Sequence, residues 1–180
     1  MAAMHAADLR LSGLKLITPK IFSDERGFFL ETYRLPLYAE AGVAVSFVQD
    51  NLSLSKQNTV RALHFQSSPG QAKLVSCVQG KIWDVAVDIR RGSSTFGQWE
   101  AVELDDILRR QLFVPVGFAH GYCVLSETAL VQYKTSSPYD PATEKSIRWN
   151  DPKIGIAWPI RKPILSPRDE LSPFLHEVFS

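Results

Sequence analysis

The chain has 180 residues and a formal net charge of +1, the length of one domain with a sizeable core. So even a balance excludes the basic field of a nucleic-acid binder and the acidic block of a disordered tail. No apolar run approaches the roughly 20 residues that cross a bilayer, and the opening MAAMHAADLRLSGL lacks the basic start and apolar stretch of a signal peptide.

In chain order, Leu14–Pro19 reads as a short strand. Ser23–Gly27 is a polar turn, and Phe28–Tyr33 resumes as a strand. Pro36–Gly42 holds one or two helical turns closed by Gly42. Phe47–Ser53 is extended again. Thr59–Gly80 reads as a hairpin: Arg61 and His64 lie on its first strand, Pro69-Gly70 make the turn, and Lys73 opens its second strand. A histidine, a lysine and an arginine on otherwise apolar strands mark the floor of a site for an anionic, carbonyl-bearing substrate. Strict alternation sends Arg61 and His64 to opposite faces, so either a bulge intervenes or Arg61 serves a neighbouring subunit's pocket or the rim.

Ile82–Ile89 alternates cleanly, with Trp83, Val85, Val87 and Ile89 on one face and Asp84, Ala86 and Asp88 on the other. Trp99–Leu104 and Gln111–Val114 are strands. Pro115–Gly121 is a tight turn. Tyr122–Leu125 and Ala129–Lys134 form a second hairpin. From about Pro138 the chain is irregular and proline-rich, and it is expected to pack back on the strands before it. Cys77 and Cys123 sit in apolar runs and read as buried free thiols of a reducing cytoplasm. Many short strands between Gly, Pro and Ser turns indicate an all-β sandwich or barrel, a single domain over 1–180.

Pro115-x-Gly-x-x-His120 resembles the second motif of cupin-type jelly rolls, whose proline and glycine turn the chain sharply and aim the histidine inward. Metal-binding cupins supply His-x-His and a glutamate from an earlier motif. Here that region is Leu63-His64-Phe65-Gln66, and no glutamate lies between His64 and Gly80. One or two imidazoles without a carboxylate make a poor divalent site, so no metal and no cofactor are expected.

The chain further resembles the dTDP-4-dehydrorhamnose 3,5-epimerase family. The matching stretches run in order from Asp24-Glu25-Arg26-Gly27-Phe28-Phe29 and Phe47–Asn51 through Arg61–Gln66, Lys73-Leu74-Val75 and Asp84–Arg90. Pro115–Gly121, Tyr133-Lys134-Thr135, Ile147–Pro152 and Leu165–Asp169 follow. The resemblance implies a cupin-type jelly roll with extra N-terminal strands and few short helices. It implies a cofactor-free epimerase that inverts C3 and C5 of a dTDP-4-keto-6-deoxy sugar, in the cytoplasm, as a homodimer whose N-terminal strands cross to the partner.

Epimerisation beside a ketone needs a base, a group that stabilises the enolate oxygen, an acid on the opposite face and a binding surface. The resemblance casts His64 as base, Asp169 as its orienting carboxylate, Lys73 as the partner of the C4 oxygen and Tyr133 as acid. By residue type alone His64 and Tyr133 read first as satisfied core residues. Arg26 and Arg61 match diphosphate contacts. Glu31, Gln49 and Asn51 match polar residues of the nucleotide and sugar site, Tyr139 an aromatic that stacks on the thymine, and Glu144 and Arg168 further contacts. His120 is expected to donate a hydrogen bond to the substrate. Ala62, Phe65 and Arg168 depart from the commoner glycine, tyrosine and lysine. These border the pocket and bear on regiochemistry, so a C3-only epimerase or a ketoisomerase is the alternative within enzymes. A non-catalytic cupin-like module that binds a nucleotide sugar is the alternative outside them.

Overall fold

The computed structural model describes residues 4–180. Its strands are β1 (Met4–Asp8), β2 (Lys15–Pro19), β3 (Phe22–Asp24), β4 (Gly27–Phe29), β5 (Gln49–Lys56), β6 (Val60–Gln66), β7 (Lys73–Gln79), β8 (Lys81–Asp88), β9 (Trp99–Asp105), β10 (Gln111–Val114), β11 (Phe118–Val124), β12 (Thr128–Thr135) and β13 (Glu144–Ser146). Three short helices join them: α1 (Leu35–Glu40), α2 (Pro167–Leu171) and α3 (Leu175–Val178). A six-stranded sheet, β1-β2-β10-β7-β12-β5, faces a five-stranded sheet, β13-β6-β11-β8-β9, and β3-β4 stand apart as a hairpin. The pairings are antiparallel. This is the cupin-type jelly roll, with β1 to β4 as its extra N-terminal strands.

Alternation sorts the apolar residues into three layers. Ile82, Ala86, Phe118 and Tyr122 from one sheet meet Val75, Leu112, Ala129 and Val131 from the other in the core between them. The opposite face of β8, with Val85, Val87 and Ile89, packs under the C-terminal segment, which contributes Ile147, Ile154 and Leu175. The outer face of the larger sheet, with Ile17, Leu74 and Phe113, is covered by Tyr38 of α1 and Val43. Each such residue contributes about 1.5–3 kcal/mol when fully buried, so the C-terminal wrap is held by a substantial apolar seam. No helix is long and apolar enough to cross a membrane among the described residues.

Two expected hairpins do not form. β6 pairs with β11 and β13, while β7 pairs with β10 and β12, so the Ser67–Ala72 loop crosses between sheets. The same holds for β11 and β12. β6 and β7 bury residues on both faces, and an interior position in a sheet satisfies that where a two-stranded ribbon cannot. The loop is also longer than the two residues of the commonest hairpin turn, and it spans sheets stacked about 10 Å apart. The strand expected over Phe28–Tyr33 stops at Phe29. Tyr33 packs instead against the rings of Tyr38 and Phe47. The sequence reading placed no strand at Met4–Asp8; there β1 pairs along β2.

Candidate active site

The site begins with a β-bulge. In β6, Arg61 lies opposite Tyr122 and His64 opposite His120, so Ala62 and Leu63 together face the single residue Gly121. Both of their side chains enter the outer core, and Arg61 and His64 end on the same inner face. Gly121 permits this approach: a Cβ there would sit 2.5 Å from the Ala62 Cβ and 2.8 Å from the Arg61 carbonyl oxygen. The bulge resolves the conflict that alternation posed.

His64 Nε2 lies 2.6 Å from Asp169 Oδ1. Asp169 is buried in α2. The Ser166 hydroxyl caps that helix by accepting from the Asp169 N–H at 3.1 Å, and Pro167 fits its first turn. The carboxylate therefore arrives from a chain segment 105 residues away, carried by the C-terminal wrap. Lys73 opens β7 on the facing sheet and is 8% exposed. Its Nζ donates to the His64 carbonyl at 3.3 Å. Burial pulls the Lys73 ammonium down from 10.5 to about 8, and the carboxylates of Glu144 and Asp84 oppose that fall. Tyr133 on β12 is half-buried. Burial raises its phenol, Tyr122 adds to the rise and Arg61 opposes it.

A cavity of about 230 Å³ joins these groups, with Gln49, Asn51, His64, Lys73, Tyr133, Tyr139 and Glu144 in its wall. Gln49 and Asn51 share a face of β5 and are hydrogen-bonded at 2.9 Å. The Gln49 side chain also accepts from the Tyr139 backbone N–H at 2.8 Å. Glu144 Oε2 accepts from the Tyr139 hydroxyl at 3.0 Å and from Arg168 at 2.6 Å. Arg61 donates to the Ser55 hydroxyl at 3.0 Å. His120 is buried behind the wall with Nε2 2.9 Å from Asp84 Oδ1. Arg26 and Glu31 stand away from the cavity. Arg26 pairs with Asp24 in the exposed β3–β4 hairpin, and Glu31 pairs with Arg34 at 3.2 Å. Larger grooves of about 730 and 510 Å³ lie outside the five-stranded sheet around Phe96, Lys153 and Leu175, but no histidine there is bonded to a carboxylate. The smaller cavity is the one with acid–base chemistry.

Sequence reasoning missed two groups. Asp84 is fully buried, and its Oδ2 has no protein partner. A carboxylate in mid-strand between apolar neighbours was the available signal. Gln66 holds the Tyr139 loop, donating to the Pro138 carbonyl at 3.2 Å and accepting from the Asp140 N–H at 3.0 Å. Nothing in its local pattern marks it. No group of three His, Cys, Asp or Glu side chains placed to hold a metal occurs among the described residues.

Residues 8–177 match the family of dTDP-4-dehydrorhamnose 3,5-epimerase. The enzyme of that name from Salmonella typhimurium is 50% identical over 166 residues, covering 91% of this chain and 91% of its own. One from Neisseria gonorrhoeae is 47% identical over 92% of this chain, which spans 51% of that longer relative. The crystal structure of the dTDP-6-deoxy-D-glucose-3,5-epimerase from Legionella pneumophila, in complex with dTDP-4-keto-L-rhamnose, matches with a TM-score of 0.93. It is 46% identical, and the match covers 96% of this chain and 93% of that one. With the barrel, the histidine–aspartate pair and the ordered motifs already in place, the chain belongs to the dTDP-4-dehydrorhamnose 3,5-epimerase family.

Proposed function

We propose that this protein inverts C3 and C5 of dTDP-4-dehydro-6-deoxy-D-glucose to give dTDP-4-dehydro-L-rhamnose. The observation that carries the reading is His64 bonded to buried Asp169 at 2.6 Å, with the Lys73 ammonium and the Tyr133 phenol in the wall of the same cavity.

His64 removes the proton from the carbon beside the C4 ketone, and the electron pair moves onto the C4 oxygen. Asp169 fixes the ring and stabilises the imidazolium that forms. The Lys73 ammonium faces the developing enolate oxygen, a role that contributes about 100- to 1,000-fold in comparable sites. Tyr133 delivers its proton to the opposite face of the same carbon. An enolate is more basic than phenoxide, and burial keeps the phenol protonated until then. The imidazolium returns its proton to water, the phenoxide regains one, and the cycle repeats at the second carbon. His120, with Nε2 taken by Asp84, has Nδ1 to offer the sugar.

Tyr139 stacks on the thymine, worth about 1–3 kcal/mol. Gln49, Asn51, Glu144 and Arg168 surround it, and Arg61 meets the diphosphate. Arg26 and Glu31 serve the site across a homodimer, in which the β3–β4 hairpin reaches the partner subunit's cavity. Phe22, Phe28 and Phe29 on that hairpin are 50%, 51% and 65% exposed, and Leu52 and Leu54 on the edge strand β5 are similarly bare, the kind of surface that a second copy covers. We assign the reaction to the cytoplasm, where free thiols such as Cys77 and Cys123 stay reduced.

Proton NMR of dTDP-4-keto-6-deoxyglucose incubated with the protein in D2O tests this. Deuterium enters at C3 and C5 with the wild type and at neither with His64→Ala. Exchange at C3 alone would make it a C3-only epimerase. No exchange at either carbon would overturn the reading.

A further inference from the structure

We propose that the short helix α2 ties recognition of the nucleoside to placement of the catalytic base, with Arg168 and Ser172 as positioning residues. The proposal rests on the epimerase reading above. Two adjacent residues of α2 serve two parts of the site. Asp169 Oδ1 lies 2.6 Å from His64 Nε2, and Arg168 Nη1 donates to Glu144 Oε2 at 2.6 Å. The same Oε2 accepts from the Tyr139 hydroxyl at 3.0 Å. An unbroken chain of contacts thus runs from the stacking aromatic, through a carboxylate and a guanidinium, to the residue beside Asp169.

Arg148 donates to the Ser172 carbonyl at 2.8 Å just past the end of α2, but the helix has little of its own to hold it. It is five residues long, far below the roughly 12–15 at which an isolated helix becomes even marginal. Leu171 is 76% exposed, so apolar burial adds little at that end. Two contacts pin the helix to β13: Arg168 to Glu144, and the Ser172 hydroxyl to the Ser146 hydroxyl at 2.8 Å. On β13, Glu144 and Ser146 lie opposite Gln66 and His64 of β6. The pins therefore set the spacing between the helix that carries Asp169 and the strand that carries the base.

Tyr139 is 54% exposed. A base stacked on it removes water from the phenol–carboxylate–guanidinium chain and strengthens each contact in it. Binding energy from a remote part of the substrate then appears in the rate as well as in the affinity. Arg168 is itself 47% exposed on its side chain, and a pair of that kind adds only about 0–1 kcal/mol to stability. Removing it leaves the fold intact.

The test compares epimerisation of dTDP-4-keto-6-deoxyglucose with that of 4-keto-6-deoxyglucose 1-phosphate, which lacks the nucleoside. Wild type, Arg168→Met, Arg168→Lys and Ser172→Ala are measured on both. Loss of the nucleoside lowers the wild-type kcat about tenfold, whereas in Arg168→Met, already about tenfold slower on the full substrate, it costs less than twofold. Arg168→Lys restores most of the rate because an ammonium keeps the ion pair. Ser172 is buried and outside the cavity wall, and Ser172→Ala lowers kcat on the full substrate with KM unchanged. If Arg168→Met raises KM alone and the nucleoside keeps its full effect on kcat, Arg168 is a substrate contact only and the proposal fails. Should the sugar phosphate turn over too slowly to follow, the split between kcat and KM on the full substrate decides, and an unchanged kcat in both Arg168→Met and Ser172→Ala overturns it. A wild type that leaves the nucleotide sugar unchanged overturns the epimerase reading instead, before any variant is compared.

Discussion

Two histidine–aspartate pairs stand side by side in the barrel, with His64 and His120 directly opposite each other on β6 and β11. Their bonds are alike, 2.6 Å for His64–Asp169 and 2.9 Å for His120–Asp84. Their construction differs. Asp84 and His120 come from neighbouring strands of one sheet, and their side chains are 0% and 8% exposed. Asp169 comes from a five-residue helix within the C-terminal wrap, and the His64 side chain is 26% exposed toward the cavity. The pair built within the sheet is the more enclosed. The pair assembled across the chain is open enough to meet a substrate yet oriented by a buried charge.

The sharpest way to break this comparison is to truncate each histidine alike. His64→Asn removes the base, and a general base contributes about 100- to 10,000-fold, so kcat falls by about 1,000-fold or more. His120→Asn keeps a hydrogen-bonding side chain beside Asp84, and kcat falls only about tenfold. Steady-state kinetics on purified variants of matched melting temperature decide it. Equal losses would mean that the enclosed pair also handles the proton.

Tyr133→Phe tests the far side of the same cavity. His64 still removes the substrate proton and returns a deuteron to the face it came from. Inversion falls about 100-fold, while deuterium continues to enter from D2O. Exchange and inversion lost together would place the acid elsewhere.

Much of this arrangement was legible in the sequence. The alternation of Ile82–Ile89 assigned both faces of β8 correctly, and the Pro115-x-Gly-x-x-His120 motif marked the inward histidine, although the turn is shorter than expected and His120 lies in strand β11. The groups now in the cavity wall, His64, Lys73, Tyr133 and Tyr139, were singled out by residue type and motif together. Strand partners were not legible. A period of two tells which residues share a face and says nothing about which strand lies alongside. Two sheet-crossing loops therefore read as hairpins. The bulge that reunites Arg61 with His64 depends on Gly121, sixty positions from Arg61 along the chain. Arg26 and Glu31 were expected at the substrate, yet Arg26 sits in the exposed β3–β4 hairpin and Glu31 pairs with Arg34, both away from the cavity.

The two aspartates also differ in what else their charge supports. Asp84 and Glu144 favour the Lys73 ammonium against the burial that holds it near 8. Neutralising Asp84 lowers Lys73 further, so in Asp84→Asn the loss of kcat at high pH sets in at lower pH than in wild type. In Asp169→Asn that alkaline limb stays where it was while kcat drops at every pH. A pH–rate profile of each variant separates the roles, and coincident alkaline limbs in wild type and Asp84→Asn would remove Asp84 from the electrostatics of the site.

Lys73 also makes the cost of the open site measurable as stability. In the fold its ammonium releases a proton near 8, whereas in the unfolded chain it holds that proton to its ordinary 10.5. Between those values the unfolded state binds more protons, so the lysine's burial penalty is full below about pH 8 and disappears as the pH rises to about 10.5. Lys73→Met lifts that penalty. It stabilises the protein by up to about 3 kcal/mol near neutrality, and the gain shrinks toward zero above about pH 10. Urea midpoints near pH 7 and pH 10 measure the difference, and the same variant loses about 100-fold in kcat for want of the enolate's partner. A variant that is more stable and nearly inactive at neutral pH identifies Lys73 as a charge kept in the barrel for catalysis. One that is less stable at both pH values would make it part of the scaffold.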